Sequence, residues 1–407
     1  MLDVFNPFYY FFVIGILLAF VKNPLFNLAD ASWHNATTRT INIDGLRGIL
    51  ALSVLIQHAA LLHNSLIGLN WQVPVPNLFN QAGQASVSLF FMITGFLFWR
   101  KAIEVNGRLN WWKLYITRFF RIAPAYYFSI VLVLFVIFYA SHFHLRESPT
   151  ILVKEIFPLL LAGFYRVPHI INAYGAVEID ANVTWTLRYE WEYYLLILPI
   201  SAIFARREGW HIWYAVSGFV LLIIITIRSP SSHSAIALLE FSGGMLCASI
   251  QERFAFAMDK RLNFTLSFVA LLLLLLLMFF GTAYQTAPFL ILWGIFLLIT
   301  SGCSVFGLLA SRAARRLGEL SFGIYLLHGI VLHAFFNDQS VDNFARSSTI
   351  DFWVMVALVA MLSALAAMAA HLLVEVPGIN FGRNLSRHNL VISGRNGTSL
   401  VSHLRNR

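Results

Sequence analysis

The chain has 407 residues, of which 59% are hydrophobic and 12% are charged. Soluble proteins carry about 25% charged residues, so this composition excludes a soluble globular protein and predicts a polytopic integral membrane protein. The formal net charge of +9 does not indicate nucleic acid as a partner, because the basic residues lie in short connections between apolar windows, where positive charges retain loops in the cytoplasm. We therefore expect membrane lipids around the protein and no nucleic acid bound to it.

Apolar windows long enough to cross about 30 Å of hydrocarbon recur along the chain. In chain order they cover roughly residues 4–21, 45–63, 84–100, 122–141, 187–205, 211–228, 233–251, 264–281, 287–303, 320–336 and 351–374. Segments of this length and polarity cross membranes as helices, because the backbone polar groups must then be satisfied internally. The sequence predicts an all-α fold with about 11 transmembrane helices.

A shorter window, roughly 151–165, carries Lys154, Glu155 and Pro158. Clusters of Lys and Arg alternate cleanly between successive connections only if this window does not cross the membrane. We therefore expect a re-entrant or surface helix within an external segment, roughly 142–186. The same rule predicts an N-terminus outside and a C-terminus inside.

Composition along the chain predicts three parts. Residues 1–40 would hold an extra N-terminal transmembrane helix and a linker, and residues 41–378 would form the main membrane domain. Residues 379–407 are basic and rich in Gly, Ser and Asn, which is typical of a disordered tail, here on the cytoplasmic side. The two cysteines, Cys247 and Cys303, lie in apolar windows and exclude a disulfide framework.

The stretch INIDGLRGILALSVLIQHAALLHN, residues 41–64, has an arginine at the start of an apolar helix and a histidine inside it. At about 100° per residue, Arg47 and His58 share one helical face and lie about 16 Å apart along the axis. His58 would then lie near mid-membrane, where burial favours the neutral imidazole, a form that can act as a general base. The ordinary alternative has the same spacing: Arg47 would be a positive charge that keeps its loop in the cytoplasm, and His58 would hydrogen-bond a neighbouring helix.

Two further segments have charges at the ends of predicted spans. In ITRFFRIAPAYY, Arg118 and Arg121 lie three residues apart on one helical face, at the cytoplasmic end. In TWTLRYEWEYYLLILP, Glu190 lies in the entry turn of a span that starts outside. The ordinary alternatives are topogenic charge for the arginine pair and an ion pair between Glu190 and Arg188. An acid within a membrane segment is nonetheless a functional candidate.

The stretch LGELSFGIYLLHGIVL, residues 317–332, carries the polar side chains Ser321, Tyr325 and His328. His328 lies about two turns inside its span, where it would hydrogen-bond either a substrate or another helix. A tyrosine in this position more often packs against neighbouring side chains than takes part in chemistry, so we expect a packing role for Tyr325. Trp185 fits an interfacial aromatic belt as well as a supporting role at a substrate site.

Taken in order, these blocks resemble the acyltransferase-3 family of integral membrane O-acyltransferases, in the stand-alone form without an appended extracellular hydrolase-like domain. The resemblance runs from about Ile43 to Pro377 and rests on DGLRGI with its later histidine, Arg-x-x-Arg, WTLRYEWEYYLL and LSFGIYLLH. It implies a ten-span acyltransferase core within 41–378, in the bacterial inner membrane. It also implies transfer of an acyl group, usually acetyl, from cytoplasmic acyl-CoA to a hydroxyl on a sugar of a surface polysaccharide or glycolipid.

The resemblance also implies roles for individual residues. Arg47, Arg118 and Arg121 would bind the phosphates of acetyl-CoA. His58 would either deprotonate the acceptor hydroxyl or carry the acyl group itself, and the sequence leaves both routes open. Glu190 would bind acceptor hydroxyls or orient the imidazole. Supporting or substrate-binding roles would fall to Trp185, Ser321, Tyr325 and His328. No metal is expected.

A transporter or flippase of a glycolipid or small polar solute is the alternative from another class. Many spans, a polar interior line and buried charges fit it equally well. Paired inverted repeats would favour a transporter, and none is visible in the sequence. The acyltransferase is therefore the favoured interpretation.

Overall fold

The computed structural model of the chain is helical along most of the residues that it describes, which are 3–35, 41–69, 75–254 and 258–387. Within these segments the only strands are a two-residue antiparallel pair, β1 (Ile170–Ile171) and β2 (Tyr174–Gly175). The predicted all-α class is confirmed. The end of the predicted N-terminal linker, residues 36–40, lies outside the described residues.

Membrane-length helices alternate with shorter ones. In chain order the α-helices of the described segments are α1 (Pro7–Phe20), α2 (Ile41–Leu66), α3 (Asn77–Glu104), α4 (Trp111–Ala140), α5 (Pro149–Ile156), α6 (Ala176–Asp180), α7 (Trp185–Glu192), α8 (Leu198–Phe204), α9 (Trp210–Arg228), α10 (His233–Arg253), α11 (Lys260–Leu277), α12 (Thr286–Thr300), α13 (Arg312–Phe336), α14 (Gln339–Ser347) and α15 (Thr349–Ala370). Helices of other types follow four of them. Two are 3-10 helices, Pro24–Asn35 and Phe157–Leu161, and two are π-helices, Tyr193–Ile197 and His371–Glu375.

Among the described residues, eight helices are long and apolar enough to cross a membrane: α2, α3, α4, α9, α10, α11, α13 and α15 with its extension. The three other predicted spans are helical but shorter or interrupted. α12 has 15 residues, and a π-helical turn divides the window at 187–205 between α7 and α8. α1 has 14 residues and is bent by 83° from the helix after it; counting that pair as one span makes nine. The count of eleven stays a prediction.

The ambiguous window at 151–165 forms no spanning helix. α5 has eight residues and the 3-10 turn after it has five. At about 1.5–2 Å of rise per residue this is too short to cross about 30 Å of hydrocarbon. A hydrogen bond from the Asn172 amide to Glu155 Oε2, 3.0 Å long, ties α5 to the β-turn. The length of this segment agrees with the interpretation of the loop charges that the window does not cross.

α13 and α15 pack antiparallel. Phe336 at the end of α13 contacts Phe352 at the start of α15, with ring centroids 5.8 Å apart. In the first half of α13, a Cβ on Gly323 would lie 3.0 Å from the Cβ of Ala367, near the end of α15. The first residues of these two helices therefore lie at opposite ends of the bundle.

The N-terminal segment, residues 3–30, contacts both of these ends, and we call it the N-terminal clip. Trp353 Nε1, at the start of α15, donates to the Val4 carbonyl over 2.8 Å. At the other end, Arg316 near the start of α13 donates to Asp30 through Nε and Nη2, at 2.9 and 2.8 Å. The clip therefore extends from one end of the bundle to the other.

α2 lies between α3 and α13, and glycines let it approach α13 closely. A Cβ on Gly318 would lie 1.9 Å from the Asp44 carbonyl oxygen, and one on Gly48 would lie 2.5 Å from that of Ala314. Small residues at helix interfaces in membranes let backbones come together in this way. The approach brings the predicted histidines of the two helices within hydrogen-bond distance.

The chain stays helical after α15, through the π-helical turn, to residue 387. Residues 379–387, the first part of the predicted disordered tail, are therefore helical. The physical reason is packing on α4, where the rings of Phe381 and Phe120 lie 4.9 Å apart. The rest of the predicted tail, residues 388–407, lies outside the described residues.

Candidate active site

A cavity of about 400 Å³, which we call the arginine cavity, lies between α2, α3, α4, α7 and α13. All three predicted phosphate-binding residues, Arg47, Arg118 and Arg121, line it. Arg118 and Arg121 lie one turn apart on α4, and Arg47 enters from the second turn of α2. Other polar residues of its lining are Asp44, Thr94, Thr186, Glu190, Tyr194, Ser321 and Tyr325. The three arginines therefore lie around one cavity, and their role in binding phosphate stays a prediction.

A carboxylate lies among these arginines. Glu190 on α7 is within electrostatic range of all three, and its Oε2 accepts a hydrogen bond from the Tyr194 hydroxyl over 3.3 Å. The guanidinium of Arg118 lies over the Phe98 ring, 4.7 Å from its centroid, which is a cation–π contact. The arginine cavity therefore combines positive charge with an internal counter-charge.

Arg121 has a second carboxylate beside it. Its Nη2 lies 4.0 Å from Oε1 of Glu375, and Oε2 of Glu375 lies 3.0 Å from Nδ1 of His371. The last two residues belong to the π-helical turn after α15. The Arg121 side chain is 32% exposed, against 3% for Glu375, so the arginine keeps access to the cavity while its partner is buried.

A second cavity, of about 300 Å³, lies farther along α2, and we call it the histidine cavity. His58 and Trp185 line it. Its other polar and aromatic lining residues are Gln57, Gln84, Phe91, Arg166, Asn182, Tyr189, His233, Glu240, Tyr284 and Tyr325. The cavity therefore combines an imidazole, amides, a carboxylate and aromatic rings.

Three side chains, Val87, Phe91 and Tyr325, line both cavities, so the two cavities adjoin at these side chains. All three are buried. The Tyr325 hydroxyl donates to the Val183 carbonyl over 3.0 Å and lies 3.1 Å from Thr186 Oγ1. These contacts hold the Tyr325 ring at the boundary between the two spaces.

The two predicted histidines contact each other across the α2–α13 interface. His58 Nδ1 lies 2.8 Å from His328 Nε2, and the rings are nearly parallel, with centroids 5.0 Å apart and 14° between their planes. His328 Nδ1 lies 3.0 Å from the carbonyl oxygen of Ile324, one turn earlier. His58 lines the histidine cavity, whereas His328 is fully buried and lines neither cavity.

The structure does not bring Glu190 to the imidazole of His58. The direction of α7 explains this difference: its first residue, Trp185, lines the histidine cavity, and more than one turn later Glu190 lines the arginine cavity. The alternative ion pair of Glu190 with Arg188 is also wrong, because Arg188 Nε bonds Glu192 over 2.8 Å.

Sequence reasoning missed Glu240. This carboxylate lies in α10, is 1% exposed, lines the histidine cavity and accepts a hydrogen bond from Ser88 Oγ. A lone acid inside the apolar window at 233–251 was a visible signal, since intramembrane carboxylates are functional candidates. Its position in the same cavity as His58 depends on how α10 packs against α3.

A set of amide side chains at the start of α3 holds the loop that carries Tyr284 to this cavity. Gln84 Oε1, for example, accepts a hydrogen bond from the backbone amide of Ala283 over 2.9 Å. Four amide residues bond this loop, and their i, i+3, i+4, i+7 spacing places them along one helical face: Asn77, Asn80, Gln81 and Gln84. One wall of the histidine cavity is therefore tied to α3.

The fold and the site define a class: an integral membrane protein of apolar helices, in which one helix contributes to both a basic cavity and an imidazole cavity. The acyltransferase-3 family model, described as an acyltransferase domain, matches residues 40–370 of the chain. The chain therefore belongs to the acyltransferase-3 family and is a membrane acyltransferase, which decides against the transporter alternative. No curated protein and no solved structure matches it.

Proposed function

We propose that this membrane acyltransferase uses acyl-CoA, and acetyl-CoA first of all, to acylate a sugar hydroxyl. The donor would bind in the arginine cavity and the acceptor in the histidine cavity. One observation carries the proposal: α2 has Arg47 in the first cavity and His58 in the second, and the two cavities adjoin at three shared side chains. A basic site and an imidazole are thus joined along one helix.

The arginine cavity suits acyl-CoA because CoA carries a pyrophosphate and a 3′-phosphate. Arginine binds phosphate oxygens through a forked set of donors, and Arg118 and Arg121 lie one turn apart beside Arg47. Arg47 and His58 are separated by about 16 Å along α2. An extended pantetheine arm can cover that distance between the phosphates and the thioester.

The histidine cavity suits a sugar acceptor. The Glu240 carboxylate and the Gln57 amide offer acceptors and donors for hydroxyl groups. Trp185 and Tyr284 offer aromatic surface, with ring centroids 6.3 Å apart and planes at 88°, against which the apolar face of a sugar ring can pack. We propose a sugar of a surface polysaccharide or a lipid-linked glycan as the acceptor.

His58 would act by one of two routes. In the direct route, the imidazole takes the hydroxyl proton while the sugar oxygen bonds the thioester carbon; the C–S bond then breaks and the CoA thiolate takes up the proton. In the covalent route, the imidazole nitrogen bonds the acyl carbon and CoA leaves as a thiolate. The sugar oxygen then bonds the acyl carbon and the bond from the imidazole nitrogen to the acyl group breaks; the freed nitrogen takes up the hydroxyl proton, which passes on to the CoA thiolate.

The proposal includes an orientation in the bacterial inner membrane. The arginine cavity would face the cytoplasm, where acyl-CoA is available, and the histidine cavity would face outward. The N-terminal clip begins at the end of the bundle where α15 starts, and α15 leads the chain away from that end. The other end of α15 leads to Glu375, which lies beside Arg121, so a cytoplasmic arginine cavity would go with an N-terminus outside and a C-terminus inside.

The first prediction tests the function directly. Purified protein in proteoliposomes should transfer radiolabel from acetyl-CoA to glycolipids extracted from the source membranes. His58→Gln should lower transfer by about 10²–10⁴-fold or more, because glutamine keeps a hydrogen-bonding group but cannot accept a proton at neutral pH. Binding of radiolabelled acetyl-CoA should stay near the wild-type level.

His58→Ala is the companion variant, and it should be as inactive as His58→Gln. A structural histidine would behave differently, with glutamine tolerated and alanine less stable. Retention of more than about a tenth of the wild-type transfer by the glutamine variant would contradict the catalytic assignment of His58. Absence of transfer by the wild type to any glycolipid fraction would contradict the proposed function itself.

A further inference from the structure

The contact between the two histidines determines which ring nitrogen of His58 carries a proton. A carbonyl oxygen can only accept a hydrogen bond, so His328 Nδ1, 3.0 Å from the Ile324 oxygen, must carry a hydrogen. In the neutral ring the lone pair is then on His328 Nε2. That atom lies 2.8 Å from His58 Nδ1, so His58 Nδ1 must be the donor. The basic lone pair of His58 is therefore on Nε2.

The same contacts disfavour the reverse arrangement. If His58 Nδ1 held the lone pair, His328 would have to donate from Nε2. Its own Nδ1 lone pair would then face the Ile324 carbonyl oxygen at 3.0 Å. Two acceptors facing each other in a fully buried site lose a hydrogen bond that water cannot replace. The backbone of α13 thus selects the tautomer of His328, and His328 selects that of His58.

We propose that His328 is a positioning residue that holds His58 in the Nδ1–H tautomer, with Nε2 as the atom that accepts the proton or the acyl group. The inference rests on the proposed function, because it names the reacting atom of His58. His328 is fully buried and lines neither cavity. Its effect on acyl transfer must therefore pass through His58, which lines the histidine cavity.

His328 would act throughout the reaction. When His58 Nε2 gains a proton or an acyl group, the ring becomes a cation and its Nδ1–H becomes a stronger donor. The hydrogen bond to His328 Nε2 is then charge-assisted, and such bonds are shorter and stronger than neutral ones. The proton stays on His58 Nδ1 and none is transferred to His328. A carboxylate performs this orienting task in the Ser-His-Asp triad, and here a neutral imidazole performs it without a permanent buried charge.

Two substitutions separate the two ends of the His328 ring. In His328→Asn the short amide reaches the position of Nδ1 and can keep the bond to Ile324, but it does not reach His58. In His328→Gln the longer amide reaches the position of Nε2, and its oxygen can still accept from His58 Nδ1. We expect the asparagine variant to lower kcat about 10²-fold with the KM for acetyl-CoA within about twofold. The kcat of the glutamine variant should be at least about tenfold higher than that of the asparagine variant.

Nitrogen-15 NMR of histidine-labelled protein provides a readout that a purely structural role would not change. Protonated and unprotonated imidazole nitrogens differ widely in chemical shift, and the His58 signals are assigned by their loss in His58→Gln. Without donor or acceptor present, wild-type His58 should be protonated at Nδ1 only. The asparagine variant should show a mixture of the two tautomers.

The proposal would be overturned if His58 of the wild type were protonated at Nε2. It would also be overturned if the asparagine variant had the same kcat and the same tautomer as the wild type. If the asparagine variant fails to fold, the wild-type spectrum and the glutamine variant still decide it: a glutamine variant with the kcat of His58→Gln would contradict it. The tautomer is measured without substrates. A wild type that has the expected tautomer but transfers no acyl group would therefore contradict the proposed function and leave the His58–His328 pairing standing.

Discussion

Two arginines of this protein differ in how many of their N–H donors are hydrogen-bonded by the protein itself. Arg316 is 1% exposed, and its guanidinium donates to Asp30 at 2.9 and 2.8 Å and to the Val21 carbonyl at 2.8 Å. Arg121, in the arginine cavity, is 32% exposed and lies 4.0 Å from Glu375. A guanidinium has five N–H donors. Arg316 directs its donors to the chain, whereas Arg121 faces a space in which an anion can bind.

The two arginines look alike in the sequence, since both lie in basic connections next to apolar windows. Arg316 therefore fits a topogenic charge, yet it is buried against Asp30, 286 positions earlier in the chain. The comparison shows that exposure and distant partners, not local sequence, distinguish an arginine that stabilises the fold from one that can bind a ligand. Two predictions test this distinction, and a third concerns a buried acid that lies apart from both arginines.

The largest expected effect is on stability, at the N-terminal clip. Asp30→Ala should lower the free energy of unfolding by about 3–5 kcal/mol, because it leaves the buried Arg316 guanidinium without its carboxylate. Thermal unfolding in detergent, followed by size-exclusion chromatography, measures the change. The KM for acetyl-CoA of the folded fraction should stay at the wild-type value, since neither residue lines the arginine cavity.

Glu192→Ala is the matched control. It removes the carboxylate of an exposed i,i+4 pair with Arg188, and such pairs contribute about 0–1 kcal/mol. Equal destabilisation by the two variants would mean that the clip contact contributes no more than a surface pair.

The second prediction concerns ligand binding at the arginine cavity. Arg121→Ala should raise the KM for acetyl-CoA about 10- to 100-fold, because a charge-assisted phosphate contact contributes about 1.5–3 kcal/mol. Arg121→Lys should restore only part of this, since lysine offers a point charge in place of a fork. Initial rates over a range of acetyl-CoA concentrations measure both effects.

Arg100→Ala is the control for this series, because Arg100 is 33% exposed, pairs with Glu104 over 3.2 Å and does not line the cavity. Its KM for acetyl-CoA should be unchanged. An unchanged KM in the Arg121→Ala variant, with normal expression, would remove Arg121 from the donor site.

The third prediction concerns the pH dependence of stability, through a buried acid that has no arginine beside it in the described contacts. Burial raises the pKa of Asp180, at the end of α6, to about 7, although hydrogen bonds from Thr184 oppose this shift. The unfolded carboxyl ionises near pH 4. As pH rises from about 4 to about 7, the unfolded state therefore loses its proton first and the folded state becomes less stable.

Asp180→Asn removes this titration and keeps an oxygen that can accept from Thr184 Oγ1, now 2.9 Å from Asp180 Oδ2. The melting temperature of the variant should fall less than that of the wild type between about pH 5 and about pH 8. Equal falls in the two proteins would show that Asp180 is already ionised in the folded state at low pH.

The sequence alone determined the helical class, the positions of the apolar helices and two pairs of polar residues that share a face of one helix, Arg118 with Arg121 and Arg47 with His58. Crossing hydrocarbon requires about 20 apolar residues with every backbone group bonded internally, and that requirement is visible in any window of the chain. The spacing of Arg118 and Arg121, and that of Arg47 and His58, follows from the pitch of one helix. Patterns of this kind need no knowledge of neighbouring helices.

Only the tertiary structure decided which cavity each polar side chain faces. One of the two roles expected for Glu190 was to orient the His58 imidazole, but Glu190 lies with the arginines, because α7 extends from the histidine cavity to the arginine cavity. Glu240 reaches the histidine cavity from α10. His328 reaches His58 from α13, 270 positions later in the chain. Such contacts depend on the rotation and depth of each helix in the bundle. Those quantities are set by how side chains and close-packed glycines fit between helices, and the sequence of a single helix does not contain them.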